Sequence, residues 1–306
     1  MRKLTIIGGV TLDVILPRLS SLPTWPTHLE FTPHNLILMR EPPILTLGGN
    51  GGNAAFVAAR CGADVTLHTT LADDPQGELV RGWLKKAGCR VNAIKATATP
   101  LNVTAANRQL QRATFFYPGS PFPIPARALN GGHLLVCGWP HPSVEEMIAG
   151  FREARKKRAV TALDPGPILG RPWGKPVLRR LFADLGLFLA NEHELITLMR
   201  AEGLADALSR LRRIFSGHVV IKRGENGALW LPEGLTDANA TLVKAPVVRV
   251  VNTVGAGDSF NGALMAALSS GLPFPKAIHL ACRIAASVVG SPQGVVGLRP
   301  QRLARR

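Results

Sequence analysis

The chain is 306 residues long, with 46% hydrophobic side chains and a formal net charge of +16 from 36 Lys and Arg against 20 Asp and Glu. That length and apolar content suit one large α/β domain, or such a domain with a small accessory piece, and exclude a disordered or fibrous chain. Four widely spaced cysteines (Cys61, Cys89, Cys137 and Cys282) include no C-x-x-C pair, which argues against a zinc site and a dense disulfide framework and for reduced core residues.

The positive charge invites a nucleic-acid reading, yet the basic residues are scattered. The densest run, Arg152 to Arg158, falls on a predicted helix whose other face is apolar, so a solvated face accounts for it. Anionic substrates would be drawn to the same field. The apolar run after Met1 is far too short for a signal peptide, and no segment approaches the roughly 18 uninterrupted apolar residues of a membrane span. A cytoplasmic location without membrane attachment is expected.

In chain order, Leu4–Gly9 reads as a first strand with Asp13 just past it. A carboxylate there could accept two sugar hydroxyls, or be an ordinary turn aspartate. The glycine-rich Gly48-Gly49-Asn50-Gly51-Gly52-Asn53 opens a helix running from Ala54 to Cys61; it would let a ligand approach the backbone, or be a mere turn. Two stretches, about 14–47 and 91–117, lack helical patterns and read as one small β-sheet lid emerging twice from the domain. The second holds strands at Val91–Lys95, Asn102–Arg108 and Arg112–Tyr117.

From about residue 130, apolar strand-length runs alternate with helices: His133–Cys137 and a helix from about Pro142, Ala159–Leu163 and a helix near Val177, Leu185–Ala190 and a helix opening at Asn191. A helix over Leu204–Phe215 and the strand His218–Lys222 follow. Continuous apolar strands separated by helices give a doubly wound, mostly parallel sheet with helices on both faces, in a single domain over residues 1–306. Asn191-Glu192-His193-Glu194 satisfies a capping box, or lets Asn191 and Glu194 arrange a hydrated Mg2+ and nucleotide phosphates. Lys222-Arg223-Gly224-Glu225-Asn226-Gly227 could meet phosphate, or be a hairpin turn into Ala228–Leu231.

Near the C-terminus a β-branched strand leads through Asn252-Thr253-Val254 into Gly255-Ala256-Gly257-Asp258 and an amphipathic helix. Bare amides and a carboxylate converge at a helix N-terminus, suited to hold a transferring phosphoryl group and take a proton from its acceptor.

The two glycine signatures, in this order and over nearly the whole chain, resemble those of the ribokinase-like carbohydrate kinases, the phosphofructokinase-B group. That resemblance implies an ATP- and Mg2+-dependent small-molecule kinase with Asp258 as catalytic base and Gly255, Ala256 and Gly257 as anion hole. It implies sugar binding by Asp13, Gly49 and Asn53; Asn50 beside them and Asn107, a polar group of the lid, are further candidate contacts to the acceptor. Nucleotide contacts would come from Asn191, Lys222, Gly224, Gly227, His279 and Cys282, with Glu194 holding Mg2+ through water. Some members form homodimers through the lid. Family members usually carry Asp where this chain has Asn252, and that acid helps bind a monovalent cation, so potassium activation is in question. The ribose-specific members have Lys in place of Asn50 and an acid near Gly138-Trp139, which argues against a strict ribokinase.

A sugar or sugar acid is the expected acceptor. A nucleoside would use Phe115, Phe116, Tyr117 and Phe122, a phosphosugar Arg108 and Arg112. A dehydrogenase is disfavoured because Gly8–Asp13 lacks the G-x-G-x-x-G spacing. A nucleic-acid-binding protein on a kinase-like scaffold is the alternative from another class.

Overall fold

The computed structural model describes residues 3–20, 37–109, 111–121, 123–125, 129, 131–138, 143–167 and 173–301. The lid residues 21–36, Phe122, Trp139 and the helix start at Pro142 fall outside the described residues. The chain opens with β1 (Leu4–Ile7), β2 (Thr11–Leu19), β3 (Ile44–Gly48) and α1 (Asn50–Arg60), then β4 (Val65–Leu71), α2 (Pro75–Ala87), β5 (Arg90–Lys95), β6 (Leu101–Asn107) and β7 (Arg112–Tyr117). It continues through β8 (His133–Cys137), α3 (Val144–Lys156), β9 (Val160–Asp164), α4 (Lys175–Phe182), β10 (Leu187–Asn191), α5 (Glu192–Met199) and α6 (Leu204–Arg212). The last elements are β11 (His218–Lys222), β12 (Ala228–Leu231), β13 (Thr241–Val243), α7 (Ala256–Ser269) and α8 (Phe274–Val289).

Nine strands form one sheet in the order β13-β12-β11-β10-β9-β8-β1-β4-β5, parallel throughout except for the antiparallel edge of β12 and β13. Alternate side chains enter opposite cores: Ile6, Leu135 and Cys137 pack with α1, α7 and α8, and Ile7, Leu134 and Val136 with α3 to α6. That two-sided burial is why these strands read as unbroken apolar runs. All four cysteines are buried free thiols, and among the described residues no helix is long and apolar enough to cross a membrane.

A separate four-stranded sheet, β3-β2-β6-β7, rises beside the large one. The expected lid strand Val91–Lys95 does not belong to it: β5 pairs with β4 from Thr66↔Arg90 to Leu71↔Lys95. Its half-buried alternation suits any sheet edge, so periodicity alone could not choose the partner. The lid instead takes in Thr11 and Asp13, placing Asp13 inside a strand rather than in a turn.

Two other expectations change. Helix α1 begins at Asn50, not Ala54, so the glycine-rich run forms its first turn. A Cβ on Gly51 would lie 2.5 Å from the Gly8 carbonyl carbon, so glycine lets the helix touch the β1–β2 connection directly. The β-branched run Val247–Val251 forms no strand, and the amides of Val251 and Asn252 donate to the Val289 carbonyl. Branched side chains favour extended backbone without supplying an edge to pair with.

Candidate active site

The centre of the site is the N-terminus of α7. Gly255 caps it with φ 76°, a left-handed conformation that favours glycine, and a Cβ there would lie 2.8 Å from Asn53 Nδ2. The first-turn amides of Gly257 and Asp258 have no acceptor within the helix, which leaves their N–H groups and the positive end of the helix dipole without a partner in the backbone. Asp258, at the third helical position and half-buried, accepts a 3.1 Å hydrogen bond at Oδ2 from Asn53 Nδ2. Burial and the Asp164 charge raise its carboxyl, against the lowering effects of the Asn53 bond and Lys222.

In front of Asp258 lies a cavity of about 390 Å³ lined by Asp13, Gly49, Asn50, Asn53, Asn102, Phe116 and Gly255, among others. Antiparallel pairing of β2 with β3 and parallel pairing with β6 bring Asp13 opposite Asn102. Asp13 is 3% exposed, and its Oδ1 accepts from the Thr11 hydroxyl at 2.5 Å. Burial pushes its carboxyl up to about 6, opposed by hydrogen bonds from Thr11 and Asn102, with the Asp258 charge adding to the rise.

Gly48 sits hard against this carboxylate: a Cβ there would lie 2.0 Å from Asp13 Oδ1. Gly48→Ala is therefore expected to displace Asp13 and raise the acceptor KM by about tenfold or more, with the KM for ATP unchanged. Steady-state kinetics with each substrate varied in turn would check this, and an unchanged acceptor KM would refute it.

Behind Asp258 is a charged cluster. Lys222 Nζ donates to Asp164 Oδ2 at 2.5 Å, the Asn261 side-chain amide donates to the same oxygen, and Asp164 Oδ1 accepts from Gly166 N at 2.8 Å. Lys222, which could meet phosphate, is buried in an ion pair at the end of β11 and is held charged by Asp164, Glu194 and Asp258 despite burial. A Cβ on Gly257 would lie 3.5 Å from its Nζ, so the ammonium also borders the α7 turn. Asn191 and Glu194 form the complete capping box of α5, Glu194 Oε2 accepting from Asn191 N at 2.7 Å. The Glu194 carboxyl is pushed up to about 7, chiefly by burial and then by Asp164.

The remaining expected residues lie elsewhere. Asn107 closes the β6–β7 turn, accepting from the amides of Gln109 and Gln111 and donating to Gln111 Oε1. It does not line the cavity, because a polar side chain at a hairpin end binds its own turn. Asn102 takes its place, a residue whose role depends on the β2–β6 register that periodicity does not reveal. Gly224 and Gly227 shape the turn Gly224–Asn226 between β11 and β12. On α8, His279 is exposed, and Cys282 is buried with Sγ 4.0 Å from the Val243 carbonyl. Asn252 is neutral, and its one side-chain oxygen accepts from Val254 N at 2.9 Å, which fits a monovalent cation poorly. Phe115, Phe116 and Tyr117 are exposed on β7. Among the described residues no group of three or more His, Cys, Asp or Glu could hold a metal by itself.

A family model described as pfkB family carbohydrate kinase matches residues 43–300. The chain belongs to the pfkB family of carbohydrate kinases. Such enzymes are phosphotransferases with an alcohol group as acceptor. The chain is 26% identical over 266 residues to the ribokinase of Bacillus subtilis, covering 83% of this chain and 85% of that protein. It is 27% identical over 253 residues to the bifunctional protein HldE of Hydrogenovibrio crunogenus, with 79% of this chain matched and 51% of HldE, so it spans about half of that relative. Its fold is that of the Arabidopsis thaliana ribokinase solved with ribose and ATP, at a TM-score of 0.81 and 20% identity, covering 97% and 96% of the two chains.

Proposed function

We propose that this pfkB-family chain transfers the γ-phosphoryl group of ATP to a hydroxyl of a sugar or sugar acid bound in the cavity beside Asp258. The observation that carries the reading is Asp258 itself: a carboxylate at the foot of a 390 Å³ cavity, beside the free amides of a helix N-terminus and aimed by Asn53. Asp258 takes the proton of the attacking hydroxyl, and its raised carboxyl brings its basicity closer to what proton transfer needs. Of the expected trio, Gly255 shapes the turn and Ala256 N donates to the Thr253 carbonyl at 3.4 Å, so Gly257, together with Asp258, turns free backbone N–H groups toward the oxygens that gain charge during transfer. Asp13, Gly49, Asn50 and Asn53 hold the acceptor. Asn191, Lys222, Gly224, Gly227, His279 and Cys282 form the nucleotide side.

The donor set fits ATP with Mg2+. Helix amides and the Lys222 ammonium suit phosphate oxygens, while the surplus of Asp164, Glu194 and Asp258 over one lysine suits a cation. Glu194 would hold the ion through water, in keeping with the few protein carboxylates Mg2+ requires. When bound, Mg2+ supplies neutralisation of the phosphoryl charge. A nucleoside acceptor is the second reading, favoured by Phe116 in the cavity wall.

ADP release with Mg-ATP and a broad panel of sugars, sugar acids, phosphosugars and nucleosides tests the activity, and silence across the panel would overturn it. Because Asp13 loses its charge as pH falls through about 6, the acceptor KM is expected to rise below that pH. The slope should approach about tenfold per pH unit. Asp13→Asn should flatten that dependence, and a profile unchanged by the substitution would refute the assignment.

A further inference from the structure

Three buried polar atoms in the cavity residues have no hydrogen-bond partner: Asn50 Nδ2, Asn53 Oδ1 and Asn102 Oδ1. Their orientations are fixed by what the other end of each amide does. Asn53 Nδ2 donates to Asp258, so its oxygen is left over. The Asn102 side chain hydrogen-bonds Asp13, whose carboxylate accepts from its amide nitrogen, and its oxygen is likewise left over. Asn50 Oδ1 accepts from Gly51 N at 2.9 Å, which leaves only its nitrogen. A buried polar atom without a partner is costly, so these atoms specify what a ligand must bring.

The requirement is lopsided. Among the amide and carboxylate side chains, the Asn53 and Asn102 oxygens and the carboxylates of Asp13 and Asp258 all accept and Asn50 offers one donor, while the free amides at the start of α7 are taken by the transferring phosphoryl group in the proposed reaction. Among the described residues lining the cavity, Asp13 and Asp258 are the only ionisable side chains. The cation nearest Asp258, Lys222, is paired with Asp164. Asp13 and Asp258 already repel each other. A carboxylate or phosphate on the ligand would add a third negative charge and donate no hydrogen bond, while vicinal hydroxyls would satisfy every open acceptor.

We propose that the phosphoryl acceptor is an uncharged polyol, a free sugar or the sugar of a nucleoside, and that sugar acids and phosphosugars are refused. The proposal rests on the kinase reading of the same site and narrows it. The basic surface does not alter it, because selection is made by the groups that touch the ligand, whereas the outer field acts on encounter.

The test offers the full chain Mg-ATP with matched sets on one carbon skeleton: a free pentose or hexose, the acid made by oxidising its aldehyde carbon, and its monophosphates at either end. Nucleosides are included as uncharged members, and ADP release is the readout. The uncharged members are expected to show kcat/KM at least about 100-fold above their charged counterparts. A charged member within about tenfold of its uncharged partner would overturn the proposal. Turnover of charged members alone would overturn it and leave the kinase reading standing, while no turnover at all removes both. Asn102→Ser, which keeps the charge and shortens the acceptor, is expected to cost about tenfold in kcat/KM for uncharged members. Asn102→Lys is expected to shift preference toward charged members by about tenfold or more. Equal losses for charged and uncharged members in Asn102→Ser would also count against the proposal.

Discussion

Asp258→Asn is expected to lower kcat by roughly 100- to 10,000-fold, the range for loss of a positioned general base, and to raise the thermal midpoint at the same time. The substitution is nearly isosteric, and its amide oxygen can still accept from Asn53 Nδ2, which now donates at 3.1 Å. What it removes is charge. In the folded chain the Asp258 carboxyl is raised above 3.8 by burial and by Asp164, so the native state binds its proton more tightly than the unfolded state does. A group of that kind opposes folding increasingly as pH rises through its folded value, and the opposition disappears below the unfolded value. The gain in midpoint should therefore be largest at neutral pH and vanish near pH 3.8. Thermal melts across pH, together with kinetics on the acceptor found by the panel, make the check. A kcat within about tenfold of the parent would remove Asp258 as the base, and a midpoint that falls at neutral pH would contradict its electrostatic surroundings.

Such stored instability at a carboxylate is expected where a protein arranges charges for chemistry rather than for folding. It was partly legible beforehand, because an acid three residues into a glycine-led helix is a local pattern. The alternation of buried strands and helices after residue 130 was legible too, since period and burial on both faces are written into consecutive residues. Pairing is different. The strand character of Val91–Lys95 could be read, but its partner β4 could not, and the register that sets Asn102 opposite Asp13 is a relation between distant segments. Asn107 misled for the complementary reason: its polarity serves a turn four residues long, and composition does not separate a turn closure from a ligand contact.

The cluster behind Asp258 lay furthest beyond sequence reasoning. Asp164 stands 58 residues from Lys222 and 97 from Asn261, and only the converging ends of β9, β11 and α7 bring them together. Its strength is exposed by Lys222→Met, expected to destabilise the fold by about 3–5 kcal/mol, the cost of leaving one member of a buried pair without the other. The side chains of Lys222 and Asp164 are 12% and 4% exposed, so solvent screens the pair little. Asp164→Asn should cost less, because Lys222 keeps the favourable charges of Glu194 and Asp258. The double variant, with no charge left in the pair, should recover much of the Lys222→Met loss, giving a coupling of about 1 kcal/mol or more in urea unfolding. A Lys222→Met variant as stable as the parent would show that the pair does not behave as a desolvated one. Lysine also lowers the carboxyls of both Glu194 and Asp258, so its removal should move the acid limb of kcat/KM to higher pH. Asp164 raises the same two carboxyls more than Lys222 lowers them, so the double variant should move the limb the other way; a limb that rises in Lys222→Met and falls back in the double variant would show that the ammonium acts on the chemistry at α7 and not only on its scaffold.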